Sequence, residues 1–144
     1  MKTPASIRVM VVDDHPVVRE GLARIIDGET DMAVVGEADD GPGAVAGCAT
    51  AKPDIVVMDV SAPEQGGFEA MAAIRGTHPD VQFVVFSVHR GEDDIHRACQ
   101  AGASGYLFKV VRPDELVAAI RSVAGGGRYL PTPVGGPSRS HDPR

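Results

Sequence analysis

Three carboxylates, one hydroxyl and one ammonium group stand directly after short apolar runs of this 144-residue sequence. The five residues are Asp13, Asp14, Asp59, Ser87 and Lys109. Taken singly, an Asp after a strand is explained as well by a turn or a helix cap as by a functional site. Taken together, oxygen ligands and a positive charge at the ends of several strands indicate one shared site.

Carboxylates at the ends of neighbouring strands repel one another, and a raised pKa or a bound cation must relieve that repulsion. Oxygen-only ligands suit Mg²⁺, which keeps several waters and takes few protein carboxylates. The Ser87 hydroxyl and the Lys109 ammonium suit an anion with several oxygens. A phosphoryl group meets both conditions. Asp59 would be the nucleophile that forms an acyl phosphate, while Lys109 and Ser87 would stabilise the transferred group.

Five short runs rich in β-branched or aromatic residues predict the strands that would position these side chains. The runs are Ile7–Val12, Met32–Ala38, Asp54–Met58, Val81–Phe86 and Ser104–Phe108. They lack the alternation of a half-exposed strand, so we expect both faces of a parallel sheet to be buried.

The segments between these strands predict helices. Apolar residues recur at helical spacing in Val18–Ile26, Phe68–Ile74 and Leu116–Val123. Gly41–Ala51 and Glu92–Ala101 are short and Ala-rich, and their positions between strands favour helices. The five units predict an α/β fold, a doubly wound five-stranded parallel sheet with five helices on both faces. Ligands bind at the carboxyl ends of the strands in such sheets.

One domain is expected from residue 1 to residue 128, since the chain has the length of a single domain. After Gly125–Gly127 the apolar pattern stops, and Pro, Gly, Ser and Arg dominate. We therefore interpret residues 129–144 as a linker-like, disordered tail.

Composition excludes several classes of protein. Hydrophobic residues make up 43% and charged residues 24%, as in ordinary globular domains. The net charge of −6 argues against an electrostatic nucleic-acid binder. No run has the length of a membrane span, and the first residues do not form a signal peptide, so a cytoplasmic protein is expected. Cys48 and Cys99 are expected to be buried small residues rather than a disulfide or metal pair.

These residues resemble, in order and spacing, the response-regulator receiver domain of two-component signalling, and most of all receivers of the NarL/FixJ class. The resemblance covers roughly residues 7–123 and rests on the segments VVDDHPVVREGL, VVMDVSAPEQGG, VVFSVHRGED and GASGYLFK. It implies a flavodoxin-like sheet with strand order 2-1-3-4-5.

The resemblance also implies a Mg²⁺ site next to the phosphoacceptor Asp59. The metal ligands would be Asp13, Asp14, Asp59 and the backbone carbonyl of Ser61. A solvated loop residue is the favoured interpretation of His89. The alternative hypothesis is that Ser61 and His89 flank the phosphoryl group and set its rate of hydrolysis. No site is assigned to His15, His78, His96 or His141, which lack metal-ligand spacing.

By the same resemblance, Ser87 and Lys109 sense the phosphoryl group and Tyr106 is the aromatic residue that rotates. The surface around the fourth helix, the fifth strand and the fifth helix would then change. An ordinary half-buried strand residue is the alternative for Tyr106.

Two loops depart from the family pattern. Receivers usually have Met-Pro after the acceptor, where this chain has Ala62 and Pro63, and many have Pro where this chain has Val110. Because the metal contact at Ser61 is made by the backbone, we expect the chemistry to survive. Val110 and its neighbour Val111 are expected to pack in the core, with an interface as the alternative.

We expect a signalling receiver that takes a phosphoryl group from a sensor histidine kinase and controls a downstream protein partner. A homodimer is a further candidate assembly; no direct nucleic-acid binding, membrane partner or turnover of an external substrate is expected. The residues after GGGRYLPTPV leave no room for a second helical domain, so a stand-alone receiver is favoured over a part of a longer regulator.

The alternative is a receiver-like interaction module that acts without phosphorylation. A Mg²⁺-dependent hydrolase with an Asp nucleophile fits poorly, because it would need a general acid where Ser61 stands.

Overall fold

Strands and helices alternate along the chain in the computed structural model, which describes residues 6–61, 66–109 and 112–131 and the backbone of residues 137–138. In order, the elements are β1 (Ile7–Val12), α1 (Pro16–Asp27), β2 (Met32–Ala38), α2 (Gly41–Ala51), β3 (Ile55–Asp59), α3 (Gly67–Thr77), β4 (Gln82–Ser87), α4 (Glu92–Gln100), β5 (Ala103–Phe108), α5 (Pro113–Ala124), β6 (Leu130–Pro131) and β7 (Pro137–Ser138).

The central sheet has five parallel strands in the order β2-β1-β3-β4-β5. The predicted α/β class and strand order are therefore confirmed. The winding direction reverses at β1, because the chain passes from β1 to β2 on one side and reaches β3, β4 and β5 on the other. In sheets of this kind the ligand crevice lies at the reversal, outside the carboxyl ends of β1 and β3.

Both faces of the sheet are buried, as the unalternating apolar runs predict. Along β1, Val9 and Val11 face the core layer that includes α1 and α5, while Met10 and Val12 face the layer that includes α2, α3 and α4. Within the described ranges, no helix combines the length and the apolar character needed to cross a membrane.

Local sequence signals fix where several helices begin. Proline stands in the first turn of α1, α2 and α5, where its missing N–H leaves no hydrogen bond unmade. At the start of α2, the Asp40 side chain accepts a hydrogen bond of 2.8 Å from the Gly43 N–H. This cap supports a helix whose apolar pattern alone is weak.

The folded unit extends past the expected boundary at residue 128. Tyr129 is only 6% exposed and packs in the core layer with α5, and Leu130–Pro131 form β6, which pairs antiparallel with Pro137–Ser138. Residues 129–131 are therefore not part of a disordered tail, because burial of one aromatic ring anchors them. The rest of the expected tail, residues 132–136 and 139–144, lies outside the described residues.

Candidate functional site

The register of the sheet brings the predicted carboxylates together. Val12 at the end of β1 lies opposite Met58 of β3, so the residues that follow, Asp13 and Asp59, are neighbours at the carboxyl edge. Asp14 extends from the same edge into solvent. Proximity of the three acids thus follows from strand pairing alone.

The ends of β4 and β5 supply the hydroxyl and the ammonium. Ser87 is the last residue of β4 and is fully buried, and Lys109 follows β5 directly. The Lys109 N–H donates a hydrogen bond of 2.9 Å to the Ser87 carbonyl. This backbone contact fixes the point from which the lysine side chain reaches toward β3 and β1.

Lys109 lies between the two inner carboxylates. Its Nζ is 3.0 Å from Asp59 Oδ2 and 3.1 Å from Asp13 Oδ2. The side chains of Asp13, Asp59 and Lys109 are only 0%, 7% and 16% exposed, so these ion pairs are shielded from water. Burial lowers the pKa of Lys109, but the hydrogen bond to Asp59 and the charge of Asp13 outweigh that effect and hold the pKa above its ordinary value.

One ammonium group does not neutralise the acids at this edge. Asp13, Asp14, His15 and Asp59 each offer one ligand atom, and these atoms lie within 4.8 Å of one another. Asp13 Oδ2 is buried and, despite its contact with Lys109, finds no well-aligned hydrogen-bond donor among the residues that the structure describes. A small cation with oxygen ligands fits this surplus of charge and this spare acceptor.

Backbone hydrogen bonds hold the two inner carboxylates in place. Asp13 Oδ1 accepts a hydrogen bond of 2.8 Å from the His15 N–H, and Asp59 Oδ1 accepts one of 2.8 Å from the Ser61 N–H. In each case one carboxylate oxygen is tied to the following loop and the other faces Lys109. The site is therefore preorganised without a ligand.

His15 lies beside the acids of this site, although the spacing of histidines in the sequence does not predict a site for it. Its Nδ1 lies 3.0 Å from Asp14 Oδ1 and 3.2 Å from Asp13 Oδ1. In the sequence, His15 is marked only by its place directly after two acids and before Pro16, the first residue of α1. Exposed loop histidines occur in the same kind of context. Nothing in that pattern distinguishes a residue at the site from a solvated one.

The two rate-tuning candidates contact each other across the mouth of the site. His89 Nε2 lies 3.1 Å from the Ser61 carbonyl, and Ser61 Oγ accepts a hydrogen bond of 3.0 Å from the Val88 N–H. These contacts join the loop after β3 to the loop after β4. The Ser61 carbonyl, expected to bind metal, already has one hydrogen-bonding neighbour and retains a second lone pair.

The two switch candidates meet at the backbone of His89. Ser87 Oγ accepts a hydrogen bond of 3.0 Å from the His89 N–H, and the Tyr106 hydroxyl donates one of 2.8 Å to the His89 carbonyl. Tyr106 is 2% exposed, so it lies inside the fold rather than half buried. Burial raises the pKa of its hydroxyl, which stays protonated as a donor.

The close approach of α3 to β3 requires a glycine beside the acceptor. A Cβ on Gly67 would lie 2.9 Å from Val60 Cγ1 and 3.3 Å from the Asp59 carbonyl, so any side chain there would displace the end of β3. The expectations for Ala62 and Pro63, and for Val110 and Val111, fall outside the described residues.

Comparison with known proteins agrees with the resemblance in the sequence. A family model described as the response regulator receiver domain matches residues 9–121. Response regulator UvrY of Escherichia coli strain K12 is 43% identical over 128 residues, which are 89% of this chain and 59% of UvrY. Response regulator GacA of Pseudomonas viridiflava is 42% identical over 124 residues, which are 86% of this chain and 58% of GacA. The matched region thus spans less than two thirds of the length of each of these relatives.

Solved structures give the same result. A LuxR-family two-component response regulator from Aurantimonas sp. SI85-9A1 superposes with a TM-score of 0.82 and 42% identity, covering 90% of this chain and 91% of that one. The NarL signal receiver domain from Mycobacterium tuberculosis superposes with a TM-score of 0.79 and 35% identity, covering 85% of this chain and 99% of that one. The family model and these relatives match nearly the whole folded unit, and the chain belongs to the response regulator receiver domain family.

Proposed function

We propose that this chain is a phosphorylation-activated receiver in which Asp59 accepts a phosphoryl group from a sensor histidine kinase. The observation that supports this most is the position of Lys109 Nζ, which lies 3.1 Å from Asp13 Oδ2 and 3.0 Å from Asp59 Oδ2 in a nearly buried pocket at the sheet edge. The family consists of signalling domains rather than of enzymes that turn over an external substrate. Phosphorylation and dephosphorylation of Asp59 itself are the chemistry proposed.

The oxygen atoms at this edge suit Mg²⁺ as the cofactor. We assign it to the clustered carboxylates of Asp13, Asp14 and Asp59. The carbonyl of Ser61 is added as a ligand because the resemblance to the family implies it. When bound, Mg²⁺ would neutralise charge between the acceptor and the incoming phosphoryl group. His15 borders the acids, but a hard cation favours their oxygens over its imidazole.

The protein residues prepare Asp59 for attack on phosphorus. An oxygen of the carboxylate forms the new P–O bond while the bond from phosphorus to the donor's leaving group breaks. Lys109 already stands 3.0 Å from Asp59 and offers a positive charge to the transferred group. Since one Asp59 oxygen is held by the Ser61 N–H, the carboxylate loses little freedom in the reaction.

The switch proposed for Ser87 and Tyr106 passes through His89. If the Ser87 hydroxyl turns to the phosphoryl group, the His89 N–H loses its acceptor. The Tyr106 hydroxyl is bonded to the carbonyl of the same residue, so the loop and the ring must rearrange together. The surface around α4, β5 and α5 would change in consequence.

Replacing both Ser61 and His89 with Ala should speed hydrolysis of the Asp59 acyl phosphate by about threefold to tenfold, an effect of up to about 1.4 kcal/mol on the barrier. The reason is that two contacts across the mouth of the site are lost and water gains access. The rate is measured as decay of the phosphorylated mass after removal of the donor. Val88→Ala keeps the backbone N–H of the same loop and serves as the matched control. An unchanged rate in the double variant would show that Ser61 and His89 do not set the rate of hydrolysis.

The partners of the proposal are a sensor histidine kinase and a downstream protein, with a second copy of this chain as a further candidate. Direct contact with nucleic acid is not proposed for this chain, whose net charge is −6. A cytoplasmic location without a membrane partner belongs to the same proposal.

Binding of beryllofluoride, a mimic of the phosphoryl group, tests this function against a receiver-like interaction module that works without phosphorylation. Fluorine NMR with the protein and Mg²⁺ should show bound fluoride signals at one equivalent. Those signals should disappear with a chelator and in Asp59→Asn. Absence of bound fluoride in the presence of Mg²⁺ would favour the interaction module.

A further inference from the structure

The segment after α5 lies along the free edge of β5, beside the proposed switch. We call residues Arg128–Pro131 the C-terminal strap. The Tyr129 N–H donates a hydrogen bond of 2.9 Å to the Ser104 carbonyl, and the Tyr129 carbonyl accepts one of 2.9 Å from the Tyr106 N–H. The strap therefore forms a parallel bridge opposite Gly105, with its acceptor bonded to the backbone of Tyr106.

Side-chain and turn contacts fix the strap to α5. The Tyr129 ring is 6% exposed and packs among residues of α5 and the sheet. Ser122 Oγ donates a hydrogen bond of 3.2 Å to the Arg128 carbonyl, and the Gly127 N–H donates one of 2.9 Å to the Ser122 carbonyl. The strap is thus held at one end by a helix and at the other by the sheet.

A proline limits the pairing to the neighbourhood of Tyr106. In a parallel ladder the next donor after the Tyr129 carbonyl would be the N–H of residue 131, facing the Tyr106 carbonyl. Residue 131 is proline and has no N–H. The strap consequently contacts the edge at Ser104 and Tyr106 and does not extend as a full sixth strand.

Tyr106 is held on two sides. Its hydroxyl is bonded to the His89 carbonyl in the loop after β4, and its N–H is bonded to the Tyr129 carbonyl in the strap. One residue thereby connects the loop above the acidic site with the end of the folded unit. Leu130 and Pro131 also line a groove along α4 with Ile95 and His96, so a shift of the strap reshapes that groove.

We propose that Tyr129 is a positioning residue for the switch, through which the strap moves with Tyr106 when the Asp59 site is loaded. The proposal rests on the phosphorylation proposed above. It adds the path by which the conformational change would reach the C-terminal end of the domain. Rearrangement of the His89 loop displaces the Tyr106 ring and its strand, and the Tyr129 carbonyl follows the Tyr106 N–H.

The chain contains two tyrosines and no tryptophan, which makes a selective measurement available. Incorporation of 3-fluorotyrosine into the full chain gives one fluorine signal from Tyr106 and one from Tyr129, assigned with Tyr129→Phe. On titration with Mg²⁺ and beryllofluoride, both signals should shift with the same midpoint. A shift of the Tyr106 signal with a stationary Tyr129 signal would overturn the relay while leaving the proposed function intact.

A second measurement needs no ligand. Gly126 has φ of 93°, and a Cβ there would meet nothing within 4 Å, so Gly126→Ala disturbs the path into the strap without a clash. Gly76→Ala, also in open space but within α3, is the matched control. Gly126→Ala should shift the Tyr106 signal and Gly76→Ala should not. A Tyr106 signal that stays at its original position in both variants would refute the coupling between the strap and Tyr106. Failure of beryllofluoride to bind, read from its own fluorine signals, would instead refute the proposed phosphorylation and the relay that rests on it.

Discussion

Replacing Lys109 with Met should lower the free energy of unfolding of the metal-free protein by about 2–4 kcal/mol, because it removes the shared partner of two shielded carboxylates. Lys109 Nζ contacts Asp59 at 3.0 Å and Asp13 at 3.1 Å. Without it, the two negative charges face each other in a pocket where water is scarce. The Lys109 side chain is 16% exposed, so the expected loss lies below that of a fully buried pair.

Mg²⁺ should reverse part of this loss. A cation that binds the folded state and not the unfolded state adds stability that grows with its concentration. The measurement is urea unfolding followed by circular dichroism, with a chelator and then with Mg²⁺. Lys52→Met is the matched control, since Lys52 is exposed at the end of α2. Equal stability of the two variants in chelator would show that the Lys109 ion pairs do not stabilise the fold.

Asp59→Asn should abolish phosphorylation by acetyl phosphate. The amide has the shape of the carboxylate and an oxygen to accept the Ser61 N–H, but it lacks the nucleophilic carboxylate. Lys109 keeps its contact with Asp13, so the fold should persist. The rate is measured as the increase of the phosphorylated mass with time in the presence of Mg²⁺.

Asp54→Asn provides the matched control for this loss. Asp54 precedes the same strand at its opposite end, is exposed, and accepts a hydrogen bond of 2.9 Å from the Arg8 N–H. It should be phosphorylated at the rate of the unaltered chain. A phosphoryl adduct that survives in Asp59→Asn would place the acceptor elsewhere.

The sheet and the grouping of polar side chains at its edge could be predicted because their signals are local. Runs such as Ile7–Val12 lack alternation, which indicates burial on both faces, and the residues after such runs fall at one edge. The proximity of Asp13, Asp59 and Lys109 then follows from strand order. Even α2, with a weak apolar pattern, is fixed by its place between two strands and by the Asp40 cap.

The features that escaped prediction depend on contacts distant in sequence. Tyr129 stands before a Pro- and Gly-rich segment and looks like the start of a tail, and only its packing on α5 and its bridge to β5 show otherwise. His15 has no spacing that marks it, and its place at the acids comes from the turn into α1. The burial of Tyr106 likewise depends on the loop at His89, which no periodic pattern describes.

The proposed function requires that this edge of the sheet accept a phosphoryl group at Asp59 with the help of Mg²⁺. Its most direct test is the mass of the unaltered chain after incubation with acetyl phosphate, with Mg²⁺ or with a chelator, followed by peptide mapping. We expect one phosphoryl group per chain, dependent on Mg²⁺ and located on the peptide that contains Asp59. No adduct in the presence of Mg²⁺, or an adduct located on another residue, would contradict it.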